Sequence, residues 1–497
     1  MKNIQFPTAY TVLILISAVA ALLTWVVPAG TFDRLEYDKK AGQFVRTGAG
    51  VNQTYPADQA TLDSLGIRIE LEKFVDGSIF KPIAIPGTFR YVDKHPQGLI
   101  ALIQAPLRGI TEAVDIILFV LILGGFIGVV HRSGAFDAGV AWMAERLKGR
   151  ETLLIIIITI LIAIGGTTYG MAEETIAFYP ILVPVFLAAG YDAMVALAVI
   201  FIGSSIGGMA STVNPFSTII ASNAAGINWT AGIGGRTFML VAGTLICLWY
   251  IIRYAERVKK DPSRSLIFHQ REEIGRLFYQ PEQSQSLAFN WRIRLILLAF
   301  VVCFAIMIYG VSLLDWWFME MTSVFFAGAI FIGFIGRINE RDFTQAFIKG
   351  AGELLSVVLI IGVARGVTIL LNNGMISDTL LHYAGQTVEG MPKGLFINVL
   401  FYLYGGLSFF ISSSSGMAVL TMPIMAPLAD VVGLGRERVV DAYMYGQGLF
   451  HFINPAGLIL ASLAMVRIGF DKWLKFVLPL VLILALLTMV VLTISVW

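Results

Sequence analysis

Long stretches of this chain carry almost no charge. Apolar runs fall at about 8–29, 113–131, 193–227, 234–253, 292–314, 317–336, 354–371, 436–468 and 472–496. Each is long enough to cross the roughly 30 Å hydrocarbon core of a bilayer as a helix. Backbone in lipid must satisfy its own hydrogen bonds, so a chain built this way is constrained to a helical, multi-span membrane protein. Composition agrees: 14% of the 497 residues are charged, where an average soluble domain has about 25%. The net charge of +2 includes no basic tract suited to nucleic acid. Cys247 and Cys303 both lie inside apolar runs and read as small packing residues. The first run, Thr8 to Val27, exceeds the apolar core of about 7–15 residues expected of a cleaved signal, and reads as an uncleaved span.

The polar stretches between these runs organise the chain. Residues 31–95 form an insert with alternating segments such as Gly66 to Glu72, which predicts a small extramembrane cap containing strands. Lys and Arg concentrate in 253–294, at Arg146, Lys148 and Arg150, and at Arg467, Lys472 and Lys475. The positive-inside rule assigns all three groups to the cytoplasm of a bacterial inner-membrane protein. The N-terminus is then inside, and the cap and C-terminus outside. The expected division is a first span to residue 30, the cap, a first core 96–253, a cytoplasmic linker 254–291, scaffold spans 292–336 and a second core 337–497.

The two cores look duplicated. Pro180, Pro184 and Gly190 recur with the same spacing as Pro423, Pro427 and Gly433. Asn214-Pro215 answers Asn454-Pro455, and Ala221-Ser222 answers Ala461-Ser462. Upstream, Gly109-x-x-Glu112 matches Gly350-x-x-Glu353, where the two acids are expected to stabilise helix N-termini. The extra span at 292–314 reverses the second copy relative to the first. The fold class expected is therefore an all-α polytopic membrane protein of two inverted-topology repeats, with about nine transmembrane helices. Two segments, 151–187 and 394–430, are interrupted by polar residues and read as re-entrant hairpins, one entering from each side. Interrupted segments at matching positions of inverted repeats point to a solute site at the midplane.

The chemistry should sit at the interruptions. The first tip runs from Gly165 to Thr175 and carries Thr167, Thr168, Glu173, Glu174 and Thr175. Adjacent carboxylates deep in an apolar hairpin are costly unless they bind a cation, a proton or a cationic group. The competing reading is that one caps a half-helix and the other reaches water. The second tip, Gly405 to Gly416, holds Ser412, Ser413, Ser414 and Ser415, whose hydroxyls and amides can cradle a carboxylate or a cation. Packing of small residues is the plainer alternative. Each Asn-Pro pair breaks a helix and frees carbonyls beside an amide side chain. This nominates Ser204, Asn214, Ser217 and Asn454, with Na+ positions near Asn214 and Asn454. His451 reads equally as a packed histidine or a proton site. Arg365 lies within a span where the first copy has Gly124; it either pairs with a hairpin acid, holds a substrate carboxylate, or snorkels.

Pro28-Ala-Gly-Thr-Phe32, Gly170-Met-Ala-Glu-Glu-Thr-Ile-Ala177, Asn214-Pro215-Phe216 and the second Asn-Pro resemble the DcuC/YfcC-like group of the ion transporter superfamily over nearly the whole chain. That group includes C4-dicarboxylate anaerobic carriers and basic amino acid antiporters, and the Gly-Met-x-Glu-Glu stretch is most similar to the latter branch. Distantly similar divalent-anion:sodium symporters carry Ser-Asn-Thr at their tips. Here the tips are Thr/Glu-rich and Ser-rich, so the resemblance implies their elevator movement and homodimer but not their Na+ coupling. The hairpins and broken spans would move against a scaffold of the first span and 292–336. The function expected is secondary active transport, by symport or antiport, of a small charged solute such as arginine or ornithine, coupled to Na+ or H+. A C4-dicarboxylate is the alternative. No cofactor and no enzymatic activity are expected: no Gly-x-x-x-x-Gly-Lys-Ser/Thr, His-Glu-x-x-His or Gly-x-Ser-x-Gly motif occurs.

Overall fold

The computed structural model of the protein describes residues 9–497 except 49, 68, 76–78, 80–81, 137, 140–149, 169, 279–289, 315, 317, 389 and 412. Ser412, Arg146 and Lys148 therefore lie outside the described residues. Among the described residues, six helices are long and apolar enough to cross a membrane.

The first span, α1 (Ala9–Val26), leads into the cap. Strands β1 (Gly30–Thr31), β2 (Arg34–Asp38), β3 (Gln43–Gly48), β4 (Val51–Pro56), β5 (Ile83–Ala84) and β6 (Arg90–Tyr91) form a four-stranded sheet ordered β4-β3-β2-β5 and a β1-β6 pair. Short helices α2 (Gln59–Ser64) and α3 (Glu72–Val75) complete it. The described residues of 66–72 form no strand, contrary to expectation. Their alternation buries Ile67 and Ile69 in the cap core without a ladder partner.

The first core comprises α4 (Leu99–Glu112), α5 (Val114–Arg132), α6 (Glu151–Thr168), α7 (Tyr179–Ala188), α8 (Ala193–Met209), α9 (Ile220–Ala224) and α10 (Ile233–Lys260). The linker helix α11 (Arg271–Phe278) precedes α12 (Trp291–Leu313) and α13 (Phe318–Ile335). The second core follows a similar order: α14 (Glu340–Glu353), α15 (Leu355–Asn373), α16 (Ser377–Val388), α17 (Lys393–Ser408), α18 (Ser414–Val431), α19 (Arg436–His451), α20 (Ile459–Val466) and α21 (Phe470–Ser495). The chain is thus helical within the apolar runs and mixed α/β in the cap.

The helices that escaped the hydropathy reading include α4 and α14, each joined to the next helix through one residue, Ala113 or Leu354. Glu112 and Glu353 end these helices, exposed, and neither caps the helix that follows. The expectation of N-terminal stabilisation by the two acids fails because the turn N-terminal to each apolar span is itself helical.

α4 packs on α15 and α14 on α5, each across glycines. A Cβ at Gly109 would fall 2.0 Å from the Gly362 carbonyl oxygen, and one at Gly350 would fall 2.2 Å from that of Gly124. Backbones this close admit no side chain, the rule for tightly packed membrane helices. The α14 crossing meets Gly124 and Gly128, whereas the α4 crossing meets Gly362 and Gly366. In the duplication register, the second crossing is displaced by about one turn, and this leaves position 365 free to carry an arginine where Gly124 cannot change.

The cap is fastened to α16. Arg34 Nη2 donates to both carboxylate oxygens of Asp378 at 2.7 and 2.9 Å, and Phe32 N donates to the same group at 2.9 Å. Phe89 stacks on His382 with ring centroids 3.9 Å apart. The Pro-Ala-Gly-Thr-Phe stretch is therefore a docking element: Gly30 N bonds Met375 O, and a Cβ there would strike Phe89. Cys247 and Cys303 are buried free thiols, as read from the sequence.

Candidate functional site

Two helix–turn–helix units and two broken helices meet in the molecule. The first unit is α6, a 3-10 turn Glu173–Phe178 and α7, with 170–172 leading into the turn; the second is α17, a turn at 409–410 and α18. Between α8 and α9 the helix opens at 210–214 and resumes as a π-turn, Pro215–Ile219. Between α19 and α20 it opens at 452–458. Proline explains both breaks, since it lacks the amide that would continue the ladder; π-turns gather at functional positions.

The two asparagines act alike. Asn214 Oδ1 accepts from Phe216 N at 2.8 Å, and Asn454 Oδ1 accepts from Ala456 N at 2.9 Å. Asn214 thereby caps the π-turn that follows, and Asn454 closes a turn in the opened stretch before α20; each satisfies an amide the break would orphan. Their other halves differ. Asn454 Nδ2 donates to Ser408 O at 2.8 Å, fixing the end of α17. Asn214 Nδ2 has no such bond among the described residues and lies against Gly170, at φ 79°, where a Cβ would fall 2.6 Å from it.

At the first tip, Thr167 Oγ1 accepts from Thr212 N at 2.9 Å, and Ser204 Oγ donates to Met171 O. Thr168 and Thr175 are bonded locally, to Ile164 O at 2.7 Å and Ala172 O at 2.6 Å. Glu174 is buried and its Oε2 accepts from Ala172 N at 3.0 Å. Glu173 is half-buried. No basic side chain among the described residues pairs with either acid.

At the second tip, Ser413 caps α18 by accepting from Gly416 N at 3.1 Å, and its hydroxyl lies 3.4 Å from that of Ser415. Ser414 Oγ reaches across to Phe216 O at 3.4 Å, and Tyr443 OH donates to Ser414 O at 2.8 Å. The second tip is thereby tied to the first break. Ser217, in that same π-turn, buries a hydroxyl with no partner among the described residues. A buried polar atom without a partner costs about 1–3 kcal/mol, so the hydroxyl is available to a ligand. Arg365 is half-buried and makes no ion pair with any described residue, so pairing with a hairpin acid is not seen. It lies one turn before Thr368, whose hydroxyl reaches Phe410 O of the second tip at 3.4 Å. His451 stacks on Phe201 at 5.7 Å.

Thr167, Glu173, Glu174, Ser204, Asn214, Ser217, Ser413, Ser414 and Asn454 are thus gathered at the tips and breaks. Thr168 and Thr175 belong to the first tip but spend their hydroxyls on local backbone, and Ser415 shares a contact with Ser413 at the second. The sequence reading missed Ser211, Thr212, Thr218 and Tyr443, the braces between these parts. Ser211 and Thr218 share a hydrogen bond of 2.7 Å across the break. They lacked a signal because isolated hydroxyls in apolar helices are common.

The model of a family described as the C4-dicarboxylate anaerobic carrier, DcuC, matches residues 6–497. The chain belongs to that family. It is a membrane transporter and not an enzyme. It is 45% identical over 497 residues to an uncharacterized protein of Haemophilus influenzae, covering 100% of this chain and 98% of that one. It is 30% identical over 488 residues to an Escherichia coli K12 protein named "Putative basic amino acid antiporter YfcC", covering 94% and 92%. Solved structures with similar architecture include the YdaH transporter of Alcanivorax borkumensis, at a TM-score of 0.41 and 14% identity over 98% of each chain. MtrF of Neisseria gonorrhoeae, of a class of antimetabolite efflux pumps, scores 0.40 at 16% identity over 99% of this chain and 96% of that one. Both likenesses are too loose to transfer any feature.

Proposed function

We propose that this carrier is a secondary active transporter of elevator type that moves a small charged organic solute, an amino acid with a cationic side chain such as arginine or ornithine. The observation that carries this is the pair Glu173 and Glu174, two carboxylates at the first tip with no basic partner among the described residues. In a site of low dielectric they demand a cation or protons, and a solute's guanidinium or ammonium meets that demand. The solute's carboxylate is matched by the capped N-terminus of α18, where backbone amides and the helix dipole favour an anion, and by Arg365. The described function of the E. coli relative supports the same class.

The reading includes two inverted-topology repeats whose helix–turn–helix units are re-entrant hairpins, a homodimer in the inner membrane, N-terminus inside and C-terminus outside. Asn214 and Asn454 would flank a coupling Na+, or the acids would take the coupling H+.

A second reading is a C4-dicarboxylate carrier coupled to Na+ or H+. The family's description and the unpaired Arg365 favour it, provided that protons or cations neutralise the two acids. Counterflow in proteoliposomes distinguishes the two. Saturable exchange of arginine or ornithine supports the first; exchange of succinate without either amino acid establishes the second. Passive conductance alone would remove both.

A further inference from the structure

Outside the tips, a fully buried guanidinium calls for explanation. Arg236, in the first turn of α10, has no exposed surface. Its Nε donates to Asp441 Oδ1 of α19 at 3.0 Å, and its Nη2 donates to Ala231 O. Arg438 Nη1 lies 3.5 Å from the other Asp441 oxygen and 3.6 Å separates Arg438 from Glu437. Gly232, at φ 81°, brings its backbone against both partners. One turn above, Arg436 Nη1 donates to Ala225 O at 2.7 Å. The outer half of α19 is thus clamped to 225–236, the segment that leaves the first broken helix.

The depth of this clamp matters. α10 packs on α8 with Gly243 against Ile206, so Arg236, two turns away, lies level with the break that follows Met209. α19 meets α8 where Gly448 faces Met209. Between Asp441 and that contact lie Tyr443, bonded to Ser414 O, and Met444, whose sulfur receives Thr218 Oγ1 at 3.5 Å. A rigid α19 therefore sets where the second tip stands relative to the first break.

We infer that Arg236 and Asp441 are positioning residues that hold the two broken helices in register, so that the second tip meets the π-turn at 215–219 through Ser414 and Phe216. The bond set is incomplete: Arg236 Nη1 and Tyr445 OH are both buried without a partner among the described residues. A buried ion pair is often replaceable by apolar residues without loss of stability, so its place between the two broken helices is better matched by a role in register. The inference rests on the transport reading above only for its consequence in turnover.

Hydrogen exchange on the full-length, solute-free protein tests it independently of what is carried. Arg236→Lys keeps the charge and loses the fork to Ala231, and should raise exchange in 213–219 and 413–416 about tenfold while α21 is unchanged. Asp441→Asn should do the same more strongly, and Arg236→Lys keeps the question open to test if that variant does not fold. In counterflow, Arg236→Lys should raise KM with the maximal rate retained. Unchanged exchange at the tip and the break, or a uniform rise across the molecule, would overturn the assignment. A failure of counterflow with every solute, with the exchange effect intact, would count against the transport reading and not against the clamp.

Discussion

The two tips occupy matching places and use their polar groups in opposite ways. The first keeps its bonds close to home: Thr168 to Ile164 O, Thr175 to Ala172 O, Glu174 to Ala172 N, with braces only to its own broken helix through Ser204 and Thr212. The second is neutral and tied outward, to α15 through Thr368, to α19 through Tyr443, to the second break through Asn454 and to the first break through Ser414. A tip that holds uncompensated charge is stabilised mainly by local backbone, while the neutral tip connects the parts. Charge and connectivity are thus divided between the two tips.

The sharpest way to break this comparison is at Gly170. A left-handed residue costs about 1–2 kcal/mol for an L side chain, and its Cβ would lie 2.6 Å from Asn214 Nδ2. Gly170→Ala should abolish counterflow and lower Tm; unchanged transport would remove the first tip from the site. Next, Glu174→Gln or Glu173→Gln should abolish or shift solute-induced thermal stabilisation with little loss of fold. Parental behaviour in both variants would end the charged-tip reading. The asparagines should separate clearly. Asn454→Ala leaves Ser408 O and Ala456 N unpaired, at about 1–3 kcal/mol for each buried group, whereas Asn214→Ala loses a cap worth about 1 kcal/mol. Equal falls in Tm would deny that the second tip is the braced one. Ser413→Ala should cost about 1 kcal/mol as a lost cap.

The smallest effect lies outside the spans. Arg132 bonds Asp342 at 2.7 Å and holds its carboxyl below the usual aspartate range. A lowered pKa in the folded state gives a contribution that is present above the ordinary value of about 3.9 and is lost as pH falls through the shifted value. Asp342→Asn should therefore weaken the parent only above that range, with parent and variant converging in acid. This link joins α5 to α14, away from both tips, and solute response should be indifferent to it.

Much of the membrane part was legible. Apolar runs and paired prolines exposed the breaks, since proline's missing amide acts through local chemistry alone. The duplicated Asn-Pro pairs likewise announced an amide side chain at each break, though not the backbone amides that Asn214 and Asn454 accept from. The α4 and α14 helices were not legible, because an amphipathic helix with charges breaks a hydropathy run. Nor was the role of Glu112 and Glu353, which depended on where those helices ended.

What the sequence by itself determined is the membrane class, the position of the interruptions and the identity of the acids and serines on them, all consequences of side-chain polarity and backbone covalency. Only the tertiary structure decided that Ser414 faces Phe216, that Arg236 grips Asp441, and that Gly109 and Gly350 are the crossing points of separate helix pairs. Those contacts join residues some 200 or more positions apart. Their partners are chosen by how whole helices pack, which no local spacing encodes.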